Sequence, residues 1–272
     1  MKLPPRLFAI LAFIWLGLAK AAANHVHLQV AWRANALVLE IYDFEAGAFP
    51  SDAFPFVISN AGMNCVPADG SFSFLGESGA TFFALPQDDN PALAFLGIGV
   101  NAIPTGTFTG NRLRLRMVSI TGPGRFALYQ VNAFGQPSIK MNSADGTNEN
   151  DDIDLATGAH EHLNWAFNAP GEYQITFVAE ATRQSTGQLV AGAPANYRFR
   201  VLSPPKTRIL LQPGPAADQP GLKIQSRPGA RLQLLEAIEL GGWTTNSTLL
   251  LTTPEWELSP QPSTATQRFW HL

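Results

Sequence analysis

Apolar and polar residues alternate along much of the chain with a period of two, which places successive side chains on opposite faces of a β-strand. The segments His25 to Trp32 and Ala36 to Tyr42 alternate in this way, and the polar break Arg33-Ala34-Asn35 between them predicts a hairpin turn. Residues Arg112 to Val118 carry three arginines on one predicted face, which we expect to be a solvated sheet face. Further strands are predicted at Arg125 to Val131, Glu172 to Ala179 and Tyr197 to Val201.

The number of turn signals favours an all-β architecture. Among 272 residues there are 23 glycines and 21 prolines, a composition typical of short strands joined by turns and unfavourable for long helices. We therefore predict an antiparallel β-sandwich over residues 24–203. Ser203-Pro204-Pro205 and Pro213-Gly214-Pro215 predict a linker over residues 204–220, and residues 221–272 predict a small C-terminal β-module.

The first residues have the pattern of a secretory signal peptide. Lys2 and Arg6 precede an apolar run from Leu7 to Ala19, which is shorter than the roughly 20 residues that a membrane-spanning helix needs. Small residues follow and allow cleavage after Ala21 or Ala23. We expect residues 1–23 to be removed and the mature chain, without a membrane span, to be secreted, periplasmic or on the cell surface.

Charge and cysteine content argue against nucleic-acid binding, an intrachain disulfide and a reactive thiol. Lys and Arg together number 18 against 21 Asp and Glu, and no basic cluster occurs, so nucleic acid is excluded as a partner. Cys65 is the only cysteine, so an intrachain disulfide is impossible, and its neighbours offer no histidine or cation that would activate the thiol. We expect Cys65 to be buried and inert.

Two His-x-His pairs carry the most concentrated chemistry. Of five histidines, four lie in the pairs His25-x-His27 and His160-x-His162. On a strand, residues two apart share one face about 6–7 Å apart, so two paired strands could bring four imidazoles to one ion. Imidazole suits zinc and copper, and we predict a transition-metal site with zinc favoured over copper. The open alternative is that both pairs decorate solvent-facing strands.

Other candidate chemistry is sparse. The oxygen-rich segment Asn142 to Asp154 is a second candidate site, for calcium, but it lacks the glycine placement of a calcium-binding loop. The sequence holds no nucleophile elbow, phosphate loop or metalloprotease helix motif, and we predict that the protein is not an enzyme.

The second histidine pair belongs to a longer motif. It reads His160-Glu161-His162-Leu163-Asn164-Trp165-Ala166-Phe167 and is closed by Pro170-Gly171-Glu172-Tyr173. From about Phe74 to Val201 the chain resembles the choice-of-anchor M domain and the actinobacterial-type surface-anchored repeats of exported bacterial proteins. The other matching pieces are Phe74-Leu75-Gly76, Leu85-Pro86-Gln87, Asn90-Pro91, Phe95-Leu96-Gly97-Ile98-Gly99, Gly122-Pro123-Gly124-Arg125-Phe126, Phe134-Gly135-Gln136-Pro137 and Asn142-Ser143-Ala144-Asp145-Gly146.

This resemblance implies a cell-surface location and metal handling, with a cell-surface metal-uptake transporter as partner. The family opens with a His-x-Asp-like pair where this chain has His27, so the ligand set departs from the family pattern. Family members often carry a C-terminal anchor, whereas this tail resembles a small β-module of exported verrucomicrobial proteins. We expect Trp165 to face the core and Asn164 to share the histidine face.

Three functions are weighed, and the least favoured is a metal-dependent hydrolase, because four imidazoles without a carboxylate partner resemble a closed metal site. The favoured one is an exported, non-enzymatic surface or periplasmic protein that binds a transition-metal ion through the two His-x-His strands. The alternative is a cell-surface interaction module that binds glycan or protein without a metal, motivated by 10% aromatic and only 14% charged residues.

Overall fold

The computed structural model describes residues 25–204, 206–212, 221–226, 231–237, 244–250, 255–258 and 269–271. The predicted signal peptide, its cleavage site and part of the predicted linker lie outside these residues. The described strands are β1 His25–Arg33, β2 Ala36–Asp43, β3 Gly47–Pro50, β4 Pro55–Ile58, β5 Met63–Cys65, β6 Thr81–Leu85, β7 Phe95–Gly99, β8 Arg112–Thr121, β9 Phe126–Val131, β10 Pro137–Asn142, β11 Asp152–Ala156, β12 His160–His162, β13 Asn164–Phe167, β14 Gly171–Thr182, β15 Leu189–Ala191, β16 Ala195–Val201, β17 Arg208–Gln212, β18 Gly221–Gln225, β19 Arg231–Ala237, β20 Thr244–Leu250, β21 Glu255–Leu258 and β22 Phe269–His271.

Helical structure in the described residues is limited to four short 3-10 helices. They span Asn60–Gly62, Gly70–Leu75, Thr109–Asn111 and Ser143–Asp145. No helix in this part of the chain is long and apolar enough to cross a membrane. The all-β prediction is confirmed.

Three sheets build the main domain. The first has the strand order β12-β7-β1-β2-β3, the second β10-β9-β13-β6-β5 and the third β11-β8-β14-β16-β4, with β15 also paired to β14. Most pairs are antiparallel, as predicted, but β1 pairs with β7 and β16 pairs with β4 in parallel. The predicted hairpin of β1 and β2 is present, and its turn residues Ala34 and Asn35 have φ of 49° and 63°, as a tight two-residue hairpin turn requires.

One apolar core holds the sheets together. The inward side chains of all three sheets form a continuous cluster that includes Leu28, Ile98 and Phe177. Trp165 is fully buried in it, as predicted, and its Nε1 donates to the carbonyl of Leu96 on β7 at 3.3 Å. The Tyr173 hydroxyl donates to the Ala169 carbonyl four residues upstream, the arrangement of a tyrosine corner in β-sandwiches.

The arginines of β8 form a solvated ion-pair face, as predicted. Arg112 pairs with Asp154 at 2.7 Å and Arg116 with Glu180 at 2.8 Å. Because these positive charges have carboxylate partners on neighbouring strands, the row is a structural feature of the third sheet and not a binding patch.

Near the C-terminus, the described strands form two three-stranded sheets, β17-β18-β21 and β20-β19-β22. Ile224 and Leu234 are buried and form a small core with partly buried neighbours. Strand β17 lies inside residues 204–220, which we predicted to be a linker. The apolar run Ile209 to Leu211 pairs with β18 in spite of the flanking prolines, so part of this segment is a strand.

Candidate metal centre

Three of the four predicted ligand residues converge on one face of the first sheet. His25 and His27 lie on β1 and His162 on β12, and both strands pair with β7, which runs between them. His27 and His162 are both in register with Gly97 of β7. The two histidine strands are therefore not direct neighbours, and their rings reach each other across an intervening strand.

Two glycines make this convergence possible. A Cβ at Gly97 would lie 2.9 Å from His27 Cδ2 and 3.0 Å from His162 Cε1, closer than ordinary van der Waals contact. A Cβ at Gly99 would lie 2.6 Å from His27 Nδ1. Because neither residue has a side chain, the imidazoles from both sides lie directly over the backbone of β7.

The ring nitrogens of the triad His25, His27 and His162 point at one another. His25 Nε2 lies 3.0 Å from His27 Nε2 and 3.0 Å from His162 Nε2. The ligand atoms of the triad all lie within 4.8 Å of one another. Each Nε2 carries either one proton or one lone pair, so a single cation that accepts three lone pairs satisfies this arrangement better than hydrogen bonds do. Bonds of 2.0–2.1 Å to zinc place tetrahedral ligand nitrogens roughly 3.3 Å apart, close to the 3.0 Å that separates His25 Nε2 from each of the other two Nε2 atoms.

Aromatic side chains hold the rings of the triad. Phe95 stacks on His162 with ring centroids 3.6 Å apart and an interplanar angle of 7°. Phe44 stacks on His25 at 4.4 Å and meets His27 edge-on at 4.8 Å. These contacts limit ring rotation and therefore keep the nitrogens aimed at one point.

Burial keeps the triad neutral near physiological pH. Desolvation and the neighbouring histidines lower the pKa of His27 to about 3 and that of His162 to about 4. The pKa of His25 is also lowered, by desolvation and then by His160, while the carboxylate of Asp89 opposes the shift. Neutral imidazoles have the free lone pairs that a metal ion needs.

His160, the fourth predicted ligand, lies beside the triad and outside it. Its exposed ring is 5.3 Å from the ring of His27, 5.8 Å from that of His162 and 6.3 Å from that of His25, measured between centroids. The structure thus places all four predicted residues in one patch but joins only three of them at ligand distance.

The structure places Asn164 and Cys65 differently from what the sequence predicted. Asn164 does not share the histidine face, because the chain passes from the first sheet to the second at Leu163. Its side chain bonds instead to Gln87 and to the Tyr129 carbonyl.

Cys65 is half-buried where we expected it to be buried, and burial raises the pKa of its thiol, which fits an inert cysteine.

The oxygen-rich segment proposed for calcium contains a buried carboxylate. Asp151 is buried and accepts hydrogen bonds from the backbone amides of Asn142 at 2.7 Å and Asn148 at 2.8 Å. Its carboxylate therefore ties two parts of the loop together. Among the described residues, the triad is the one group of three or more histidine, cysteine or acidic side chains whose geometry fits an ion.

The residues that sequence reasoning missed are Gly97, Gly99, Phe44 and Phe95. A usable signal existed for the glycines, since Phe95-Leu96-Gly97-Ile98-Gly99 is a strand with glycine at alternate positions, the same period as His-x-His. Glycine at two positions on one face indicates that other groups approach the backbone there.

Comparisons with known proteins give no match to a family model, a curated protein or a solved structure. The resemblance to the choice-of-anchor M domain therefore stays a prediction that rests on the quoted motifs. The fold and the site define an all-β protein with a three-histidine cluster compatible with metal binding.

Proposed function

We propose that this is an exported, non-enzymatic bacterial surface or periplasmic protein that binds one transition-metal ion, zinc in preference to copper, through the triad. The observation that carries the proposal is the position of His25 Nε2, 3.0 Å from the Nε2 atoms of both His27 and His162. Three neutral imidazoles held by aromatic neighbours are a donor set that zinc and copper favour.

His160 is the proposed fourth ligand. Its ring is exposed and close to the triad, so a change of side-chain rotamer on the edge strand β12 can bring a nitrogen to the ion. The approach of a fourth imidazole would give the tetrahedral coordination that zinc adopts in closed sites. We expect His160 to contribute less to affinity than the triad does, because its side chain must be ordered on binding.

Calorimetric titration of the purified mature protein with zinc tests the proposal. We expect saturable binding of one ion per chain, abolished when His25, His27 and His162 are all replaced by alanine. His160→Ala is expected to retain weaker binding. His271→Ala is the matched control, since His271 is the fifth histidine and belongs to β22. The proposal fails if no saturable binding occurs, or if the triple alanine variant binds zinc as tightly as the natural chain.

The proposed location and partner have separate support. The signal-peptide pattern of residues 1–23 supports export, and the resemblance to surface-anchored proteins supports delivery of the ion to a cell-surface metal-uptake transporter. Cell fractionation with N-terminal sequencing tests the location, with a mature chain that begins at Ala22 or Asn24 as the expected result. Recovery of an uncleaved chain from the cytoplasm would contradict it.

The alternative of a metal-free interaction module receives no support from the described surface. Every tryptophan and tyrosine whose exposure the structure describes is buried or half-buried. The exposed aromatic side chains in this part of the chain include Phe44 and Phe134, and Phe44 already packs on the triad.

A further inference from the structure

The second ring nitrogen of His27, Nδ1, lacks a hydrogen-bond partner in the part of the chain that the structure describes. His27 is only 1% exposed, and its Nδ1 has no hydrogen-bond partner among the described residues. Its Nε2 faces His25 Nε2 at 3.0 Å. If Nε2 gives its lone pair to a metal ion, the neutral ring must carry its proton on Nδ1, and a buried N–H donor needs an acceptor.

Gln29 places an amide oxygen in the neighbourhood of that nitrogen. It follows His27 by two residues on β1, so both side chains lie on the same sheet face, and Gln29 is 2% exposed. Its Nε2 donates to the Val30 carbonyl at 3.0 Å, which fixes the orientation of the amide and leaves Oε1 free to accept. A reversed amide would set two oxygens against each other.

Both groups lie beside Gly99. A Cβ at Gly99 would lie 2.5 Å from Gln29 Oε1 and 2.6 Å from His27 Nδ1, so the two atoms are at most about 5 Å apart. Asn101 Oδ1 is 3.3 Å from the same point. Because Gly99 has no side chain, nothing at this position separates the amide oxygen from the imidazole nitrogen.

We infer that Gln29 is a positioning residue for the metal centre, which accepts a hydrogen bond from His27 Nδ1–H and thereby directs the Nε2 lone pair toward the ion. This inference rests on the proposed metal-binding function. A metal ion withdraws electron density from the ring and makes Nδ1–H a better donor, so the hydrogen bond strengthens when the ion binds. Acceptors in this position typically change metal affinity 10–100-fold.

Zinc affinity of three variants, measured by competition with a chromophoric chelator, tests the inference. Gln29→Leu removes the acceptor at similar size, and we expect a 10–100-fold loss of affinity. Gln29→Glu keeps an acceptor oxygen for Nδ1–H but loses the donor to the Val30 carbonyl, so we expect it to retain more zinc affinity than Gln29→Leu does. Gln174→Leu, on the exposed face of β14, is the matched control and should bind normally. A purely structural role would weaken binding in both Gln29 variants alike, and that result would overturn the inference.

A measurement on the natural chain covers the case in which Gln29→Leu does not fold. In the zinc-loaded protein, nuclear magnetic resonance should show a slowly exchanging, downfield proton on His27 Nδ1. Zinc bound through Nδ1, or an Nδ1 proton that exchanges as fast as that of a solvent-exposed histidine, would overturn the inference while leaving metal binding intact. Absence of any zinc binding would instead overturn the proposed function and this inference with it.

Discussion

Replacing Gly97 by alanine should separate metal binding from folding. The added methyl group would lie 2.9 Å from His27 Cδ2 and 3.0 Å from His162 Cε1, whereas ordinary carbon contacts are about 3.5–4.0 Å. Each ring must therefore retreat by roughly 0.5 Å or more, and in opposite directions, because the rings approach from both neighbouring strands. A metal site tolerates deviations of only about 0.2 Å in its bond lengths.

The expected loss of zinc affinity for Gly97→Ala is at least about 100-fold, since the variant displaces two ligands and changes to supporting groups alone cost 10–100-fold. The free energy of unfolding changes less than the zinc affinity does, because two effects of opposite sign partly cancel. Alanine is favoured over glycine in a strand by about 0.5–1 kcal/mol, while crowding of the two rings costs about 1–3 kcal/mol.

Chelator competition gives the zinc affinity of this variant, and urea unfolding of the metal-free protein gives its stability. Gly70→Ala is the control, because a Cβ there meets nothing within 4 Å. Natural affinity in a folded Gly97→Ala protein would refute the view that glycine lets the imidazoles converge over β7.

Three further predictions concern pH and the buried loop carboxylate. Zinc affinity should change little between pH 7 and 6, since the pKa values of His27 and His162 are lowered to about 3 and about 4; a titration series that falls steeply from pH 7 would contradict this. The metal-free protein should lose stability as pH falls below 6.5 toward 3, because only the unfolded chain then protonates His27; the loss is about 2 kcal/mol between pH 7 and 5 for this group. Equal unfolding midpoints in urea at those two pH values would count against the burial of a neutral His27. Asp151→Ala should lower the free energy of unfolding by about 1–3 kcal/mol because two backbone amides lose their acceptor, and calcium should leave the natural chain's unfolding midpoint unchanged. A rise of that midpoint with calcium would show that the loop binds the ion.

Local patterns predicted the strands but not their long-range partners. The hairpin from His25 to Asp43 could be read from alternation and a polar break, because both determinants are local in the chain. Alternation also indicated that each His-x-His pair shares a face. The parallel pairing of β1 with β7 depends on packing between segments far apart in sequence, so it could not be read from either segment alone.

The dependence of strand pairing on distant segments also explains the other differences between the predictions and the structure. Leu163 separates strands that belong to different sheets, and the motif around it reads as one continuous run. Strand β17 forms because β18 offers a pairing edge, while the surrounding prolines pointed to a linker. The sequence therefore predicted which residues form the site. Tertiary packing determines that only three of the four imidazoles lie at ligand distance.

In the proposed metal centre, histidines from β1 and β12 share one ion. Nuclear magnetic resonance of histidine ¹⁵N during a zinc titration measures this directly, because a bound metal shifts the resonance of each ligating nitrogen. We predict that the Nε2 signals of His25, His27 and His162 shift together and stop shifting at one zinc per chain. Shifts confined to one histidine pair, or pairs that saturate at separate zinc equivalents, would contradict a single ion shared by the two strands.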